Sequence, residues 1–257
     1  MTVPSVTAIH SRDNPLVKDL RRLAQDTTAY RKQGRVWLEG DHLCRAAMQR
    51  GVRPSLAVFS ESFFTQGSAE FAASAIKVIV LADRLFADIS GLESPARMGF
   101  VMELPPAPSV QPEAGTVVLD RVQDAGNVGS ILRSAAAFGF RQVLAIKGSA
   151  ALWSPKVLRA GMGAHFGLHL LEGLDAGDLA LLRVPLLVTH VHGGDHLHRA
   201  ALPWPCAWVL GHEGQGVSLQ IEAMASQRIR IAQPGGQESL NVAAAAAICL
   251  HASAAAG

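Results

Sequence analysis

Residues 116–133 read Thr116-Val-Val-Leu-Asp120-Arg121-Val-Gln-Asp124-Ala-Gly-Asn127-Val-Gly129-Ser130-Ile-Leu-Arg133. The run Thr116–Asp120 is apolar almost throughout, which fits a strand covered on both faces. A short polar loop follows, and a helix starts there, capped by Asp124 or Asn127. Downstream, strand-like runs recur at Gln142–Ile146, Phe166–Leu170, Leu186–His190, Ala207–Leu210 and Arg228–Ile231. Helical segments lie between most of them, and a closing helix is expected over Leu240–His251. This alternation predicts an α/β fold with a parallel sheet and helices on its faces. In such sheets ligands sit beyond the carboxyl ends of the strands, so chemistry is expected in the loops that follow them.

Upstream lies LPPAPSVQPEAG, residues 104–115, with four prolines in the eight positions from Pro105 to Pro112. Proline fixes φ and removes a donor, so this stretch reads as a linker. Two domains are expected, 1–104 and 114–257. The first opens on a basic helix from Pro15 to about Lys32, with Leu16, Leu20, Leu23 and Ala24 on one face. It continues with strand-like Val36–Glu39, a helix over 41–50, strand-like Leu56–Ser60, a helix near 68–75, and strand-like Ile76–Leu81 and Phe100–Leu104. That is a small α/β domain.

The chain has 257 residues, 49% of them hydrophobic and 17% charged, which excludes disorder as its global state. Aromatics make up only 5%, so the core is expected to consist of small and branched side chains. A net charge of +2 marks no partner by itself. Its placement is more informative, because residues 1–53 hold ten Lys/Arg against five acids. A local excess of that kind suits contact with a phosphate backbone, and a solvated amphipathic helix reads the same way. Cys44, Cys206 and Cys249 show no paired spacing and are expected to be free thiols. The start of the chain lacks the pattern of a signal peptide, and the longest apolar run, Val242–Leu250, falls short of the ~20 residues that cross a bilayer. The expectation is a cytoplasmic protein with no membrane segment.

Three post-strand loops stand out. In the first, Arg133 follows Gly129 by four residues and shares its helix face, either as a phosphate-binding fork or as a surface arginine. The second is Gly211-His-Glu213-Gly214-Gln-Gly216, three glycines around an acid. It is neither a Walker loop nor a dinucleotide fingerprint, and a tight turn explains it as well as a ligand does. The third, Ile231-Ala-Gln-Pro-Gly235-Gly-Gln-Glu-Ser239-Leu240-Asn241-Val242, places Ser239 or Asn241 at the start of a helix containing five consecutive alanines, Ala243–Ala247. A rival signal is His190-x-His192-Gly-Gly-Asp195-His196-x-His198. Its Asp is displaced by one position from the usual histidine–aspartate metal loop, and no downstream partner set is evident, so no metal is expected.

In their order, spacing and position after strands, the three loops resemble the signature motifs of the SpoU/TrmH family of SPOUT RNA methyltransferases. Asn127-x-Gly129-x-x-x-Arg133 is similar to the first, Leu210-Gly211-x-Glu213-Gly214-x-Gly216 to the second, and Ile231 through Ser239-Leu240-Asn241-Val242 to the third. The basic start, Ser11-Arg12-Asp-Asn14-Pro15-Leu-Val-Lys18 through Leu38-Glu39-Gly40, resembles the family's substrate-binding domain. The resemblance implies a trefoil-knotted catalytic domain, a homodimer, and methyl transfer from S-adenosyl-L-methionine to a ribose 2′-hydroxyl in RNA. The RNA expected is rRNA, 23S first, with tRNA second. By resemblance Arg133, Asn127, Glu213 and Asn241 are the catalytic set. Gly211, Glu213, Gly214, Ile231, Ser239 and Leu240 are the cofactor contacts. Two departures stand beside this, since family members usually read Ile-Pro-Met where this chain has Ile231-Ala232-Gln233, and Asp-Pro where it has Asp124-Ala125. A non-catalytic RNA-binding protein and a metallo-hydrolase built on the 190–198 histidines are the competing readings.

Overall fold

The computed structural model describes residues 5–92, 94–106, 108–191, 193–235 and 239–256. Two compact units result, one from the residues up to Pro106 together with Trp153–Phe166, the other from 107–152 and 167–257.

The first unit contains β1 (Ser5–Ile9), α1 (Pro15–Gln25), α2 (Ala29–Gln33), β2 (Arg35–Glu39), α3 (Asp41–Gln49), β3 (Leu56–Ser60), α4 (Glu61–Gly67), α5 (Ala69–Ser74), β4 (Lys77–Leu81), α6 (Asp83–Ile89) and β5 (Met98–Glu103). Its sheet runs β1-β4-β3-β5-β2. β1, β4 and β3 are parallel, whereas β5 is antiparallel to both β3 and β2, so the sheet is mixed. The basic helix is shorter than its sequence suggests. Asp26 is extended, and its carboxylate accepts from the Thr28 amide (2.8 Å) and hydroxyl (3.1 Å). That local turn competes with helical hydrogen bonding and ends α1 at Gln25. Those same bonds hold the Asp26 pKa below its ordinary value. The buried face of α1 is Val17, Leu20, Leu23 and Ala24, with Leu16 left exposed.

The second unit begins with β6 (Thr116–Asp120), α7 (Ala125–Ala137) and β7 (Gln142–Ile146). The chain then contributes α8 (Pro155–Gly161) to the first unit, where Val157 and Leu158 are buried. After a 3-10 turn at Ala164–Gly167 come β8 (His169–Leu174), β9 (Leu186–Thr189), β10 (Asp195–His196), β11 (Ala207–Gly211), α9 (Leu219–Glu222), β12 (Gln227–Arg230) and α10 (Val242–Ala256). The strand expected at Phe166–Leu170 therefore starts three residues later, because Phe166 still belongs to that turn. Seven strands run in the order β10-β12-β9-β11-β6-β7-β8, and every neighbouring pair is parallel. The β6 to β8 strands succeed one another on one side, while β11 lies on the other side of β6. On one face of the sheet Val118, Leu144, Val188 and Val209 pack with Ile221 of α9. Each such side chain, fully buried, contributes about 1.5–3 kcal/mol.

All three cysteines are free and buried. Burial pushes the Cys206 thiol up to about 11 and the Cys249 thiol up to about 12, so neither is a reactive thiolate near neutrality. Among the described residues, no helix is long and apolar enough to cross a membrane.

Candidate active site

The strand order reverses direction between β6 and β11, and there the following loops diverge and leave a crevice. The loops after β6, β9, β11 and β12 all emerge at that end of the sheet. A cleft of about 730 Å³ lies among them, within the range of small-ligand sites. Gly211, Glu213, Gly214, Ile231, Ser239 and Leu240 all line it, together with Asn241. Six residues from two separate loops, chosen on sequence alone, thus share one wall-to-wall space.

The loop after β11 is built to be rigid. A Cβ on Gly211 would lie 2.2 Å from the carbonyl carbon of Gly216 and 2.3 Å from the Val217 nitrogen, so only glycine lets the chain double back there. His212 and Gly216 exchange both backbone hydrogen bonds (3.0 and 2.9 Å). Nδ1 of His212 accepts from the amides of Gly214 (3.0 Å) and Gln215 (3.2 Å). The buried Asp120 carboxylate accepts from the Ser218 amide at 2.5 Å and from Arg121 Nε at 3.1 Å. Arg121 itself is left-handed at φ 62°, which turns the chain sharply after β6. Its guanidinium reaches Gln215 Oε1 (2.8 Å) and the Gly216 carbonyl (3.4 Å), joining the first loop to the second.

At the mouth of the cleft three motif side chains meet. The Glu213 carboxylate accepts from the amides of Gln123 (3.3 Å) and Asp124 (3.2 Å) and from Asn127 Nδ2 (3.1 Å). Partial burial opposes its ionisation, but the hydrogen bonds from Asn127, Asp124 and Gln123 prevail and hold its pKa below the ordinary value. Asn127 Oδ1 accepts in turn from Asn241 Nδ2 at 3.0 Å. Asn241 Oδ1 accepts from the amides of Ala243 (2.9 Å) and Ala244 (3.2 Å), so Asn241, rather than Ser239, caps α10 and fixes its start at Val242. Asp124 caps α7 by accepting from the Asn127 amide at 2.7 Å.

Arg133 is placed differently. It stands on α7, exposed, and does not line the cleft; Gly129, four residues earlier, is buried. Among the described residues its guanidinium has no hydrogen bond or ion pair. In the histidine-rich loop His192 lies outside the described residues. His190 Nδ1 accepts from the Gly193 amide (3.0 Å), and its Nε2 lies 3.6 Å from Glu222. The His196 and His198 rings stack 5.3 Å apart. Desolvation, then the charges of Arg230, His198 and Arg199, lower the His196 pKa. Among the described residues no three His, Cys, Asp or Glu side chains converge as a metal site.

The sequence profile of the SpoU rRNA Methylase family matches residues 115–251. This chain belongs to that family. In this SpoU methylase residues 14–98 also match the MRM3-like substrate binding domain. An uncharacterized tRNA/rRNA methyltransferase of Synechocystis is 33% identical to it, over 96% of this chain and 93% of the relative. The 23S rRNA (guanosine(2553)-2′-O)-methyltransferase RlmP of Bacillus subtilis is 27% identical, over 95% and 97%. The crystal structure of an AdoMet-bound rRNA methyltransferase from Sinorhizobium meliloti superposes with a TM-score of 0.83 at 26% identity, covering 96% of this chain and 97% of that one. The α/β fold with a parallel sheet and the RNA methyltransferase class both follow. Sequence reasoning missed the Asp120–Ser218 and Arg121–Gln215 links and the cleft-lining Glu222 and Gln233. Their partners lie far apart in the chain, and no motif marks them.

Proposed function

We propose that the protein transfers a methyl group from S-adenosyl-L-methionine to a ribose 2′-hydroxyl of 23S rRNA. The observation that carries this is the Glu213–Asn127–Asn241 chain of hydrogen bonds at the mouth of a cleft sized for the cofactor. The Bacillus relative, alike over nearly its full length, supports rRNA over tRNA and the 2′-oxygen as acceptor. The fit of the cofactor is supported by the cleft's mixture of apolar wall (Ile231, Leu240) and carboxylates (Glu213, Glu222), which suits a molecule with a flat base, hydroxyls and an ammonium group. Gly211, Gly214 and Ser239 would hold it through backbone and small polar contacts. When bound, adenosylmethionine supplies a methyl made electrophilic by its sulfonium, and the protein's contribution is then chiefly positioning.

Each side chain has a distinct part in this reading. Glu213 already receives three donors on its two oxygens, so it acts as a positioning residue and not as a base. Asn127 orders the first turn of α7 against both cleft loops. Arg133 stays protonated at any working pH and cannot take the hydroxyl proton. Its free fork instead grips an RNA phosphate or the charge growing on the 2′-oxygen. Residues 1–104 form the RNA-binding part, with the basic excess of the first 53 residues facing phosphate, and 114–257 the methyltransferase part, with the trefoil threading of its family. The protein is a homodimer, in which a second copy covers the outward face of α10. That face is apolar, with Ile248 41% exposed beside Phe138 and Leu197 around a hollow of about 570 Å³. Sedimentation at micromolar concentration is expected to give twice the 27.1 kDa chain mass, and a monomer removes this part.

The deciding experiment is Arg133→Ala with radiolabelled methyl transfer into rRNA and calorimetry with S-adenosylhomocysteine. Binding of the nucleoside is expected within about twofold of wild type, with turnover down about 10³-fold. Retained turnover takes Arg133 out of the chemistry. Comparing 2′-O-methylation across total RNA from a deletion strain and its parent then names the nucleotide, and a lost tRNA site in place of an rRNA site overturns the substrate assignment.

A further inference from the structure

Gln233 follows Ile231 by two residues in the loop after β12, and its side chain lines the cleft. Its amide oxygen is shielded from water and has no hydrogen-bond partner. Buried carbonyls without partners are rare in folded proteins, and those that occur call for an explanation. The surroundings suggest one. Beside Gln233 the wall of the cleft is apolar, formed by Ile229, Ile231 and Leu240, while the carboxylates that line it, Glu213 and Glu222, belong to the β11 loop and α9. An apolar wall carrying one carboxamide is the complement of a purine, whose faces are apolar and whose edge alternates donors and acceptors. An amide presents an acceptor and a donor side by side, and that pair matches the 6-amino group and N7 of adenine, as glutamine does in the DNA major groove.

We infer that Gln233 reads the adenine of the cofactor: its Oε1 accepts from the 6-amino group while its Nε2 donates to N7. The inference rests on the cleft being the adenosylmethionine site and adds the group that selects the base. Gln233 is then a specificity residue and takes no part in moving the methyl group. A deaminated base offers two acceptors along the same edge, O6 and N7, and leaves the glutamine oxygen unmatched.

The test is calorimetry on the full chain with S-adenosylhomocysteine and its deaminated counterpart, S-inosylhomocysteine. Wild type is expected to prefer the amino form by about tenfold or more. Gln233→Met, similar in length but without the amide, is expected to bind the two within about twofold of each other. Gln233→Glu keeps an acceptor and is expected to retain the preference while binding both more weakly, which covers the case of a Met variant that fails to fold. A wild type without preference, or a Met variant that keeps it, overturns the inference while leaving the cofactor site standing. If wild type binds neither compound, the cofactor assignment falls and Gln233's role falls with it.

Discussion

The two loops that face each other across the cleft are made in opposite ways. The loop after β11 is closed on itself and tied to its neighbours by His212, Glu213, Gln215 and Ser218, so that nearly every polar group in it is matched within the protein. The loop after β12 carries an unmatched amide at Gln233, an exposed Ser239, and no comparable cross-links until Asn241. The difference separates groups that shape the site from groups that await a ligand. A polar side chain satisfied internally has little left to offer a substrate, whereas an unmatched one gains most on binding.

That contrast is open to attack, most strongly through Gly211. In Gly211→Ala the new methyl strikes the backbone of Gly216 and Val217, and a loss of about 2–3 kcal/mol is expected in urea unfolding, with binding of S-adenosylhomocysteine abolished. Glu213→Ala comes next. It strands two amides and Asn127 at a partly exposed position, and about 1–2 kcal/mol is expected in the same assay. The pH dependence sharpens this. The Glu213 pKa is depressed in the folded protein, so its contribution is present above the ordinary glutamate value of about 4.3 and lost as pH falls through the lower folded value. Unfolding of wild type and Glu213→Gln between pH 3 and 7 should therefore diverge at the upper end and converge in acid. The smallest effect belongs to the opposite loop. A Cβ on Gly235 meets nothing within 4 Å, and Gly235→Ala is expected within about 0.5 kcal/mol of wild type. A costly Gly235→Ala or a neutral Gly211→Ala would erase the distinction between the loops.

How far the fold was legible follows the same division between local and distant causes. Thr116–Asp120 and Gln142–Ile146 match their strands residue for residue, because strands buried on both faces are written as unbroken apolar runs. Ser5–Ile9 went unread because four of its five residues are exposed at a sheet edge, where no apolar pattern is needed. The antiparallel course of β5 and the late start of β8 depend on where distant segments pack, which periodicity does not encode. In the site, Gly211, Glu213 and Asn241 were legible through motif spacing. Asp120 and Ser218, 98 positions apart, were not, because pairing at that range is a property of the folded chain alone. The choice between Asp124 and Asn127 as the α7 cap, left open by composition, is decided by a single 2.7 Å contact.

Asn127 belongs to neither loop yet holds both, with its nitrogen on Glu213 and its oxygen on Asn241. The two sides of the crevice therefore cannot part independently, and any widening that lets a spent nucleoside escape must first unlatch one end of this single carboxamide. Release of product and the orientation of the helix bearing Arg133 are in that way coupled through one side chain.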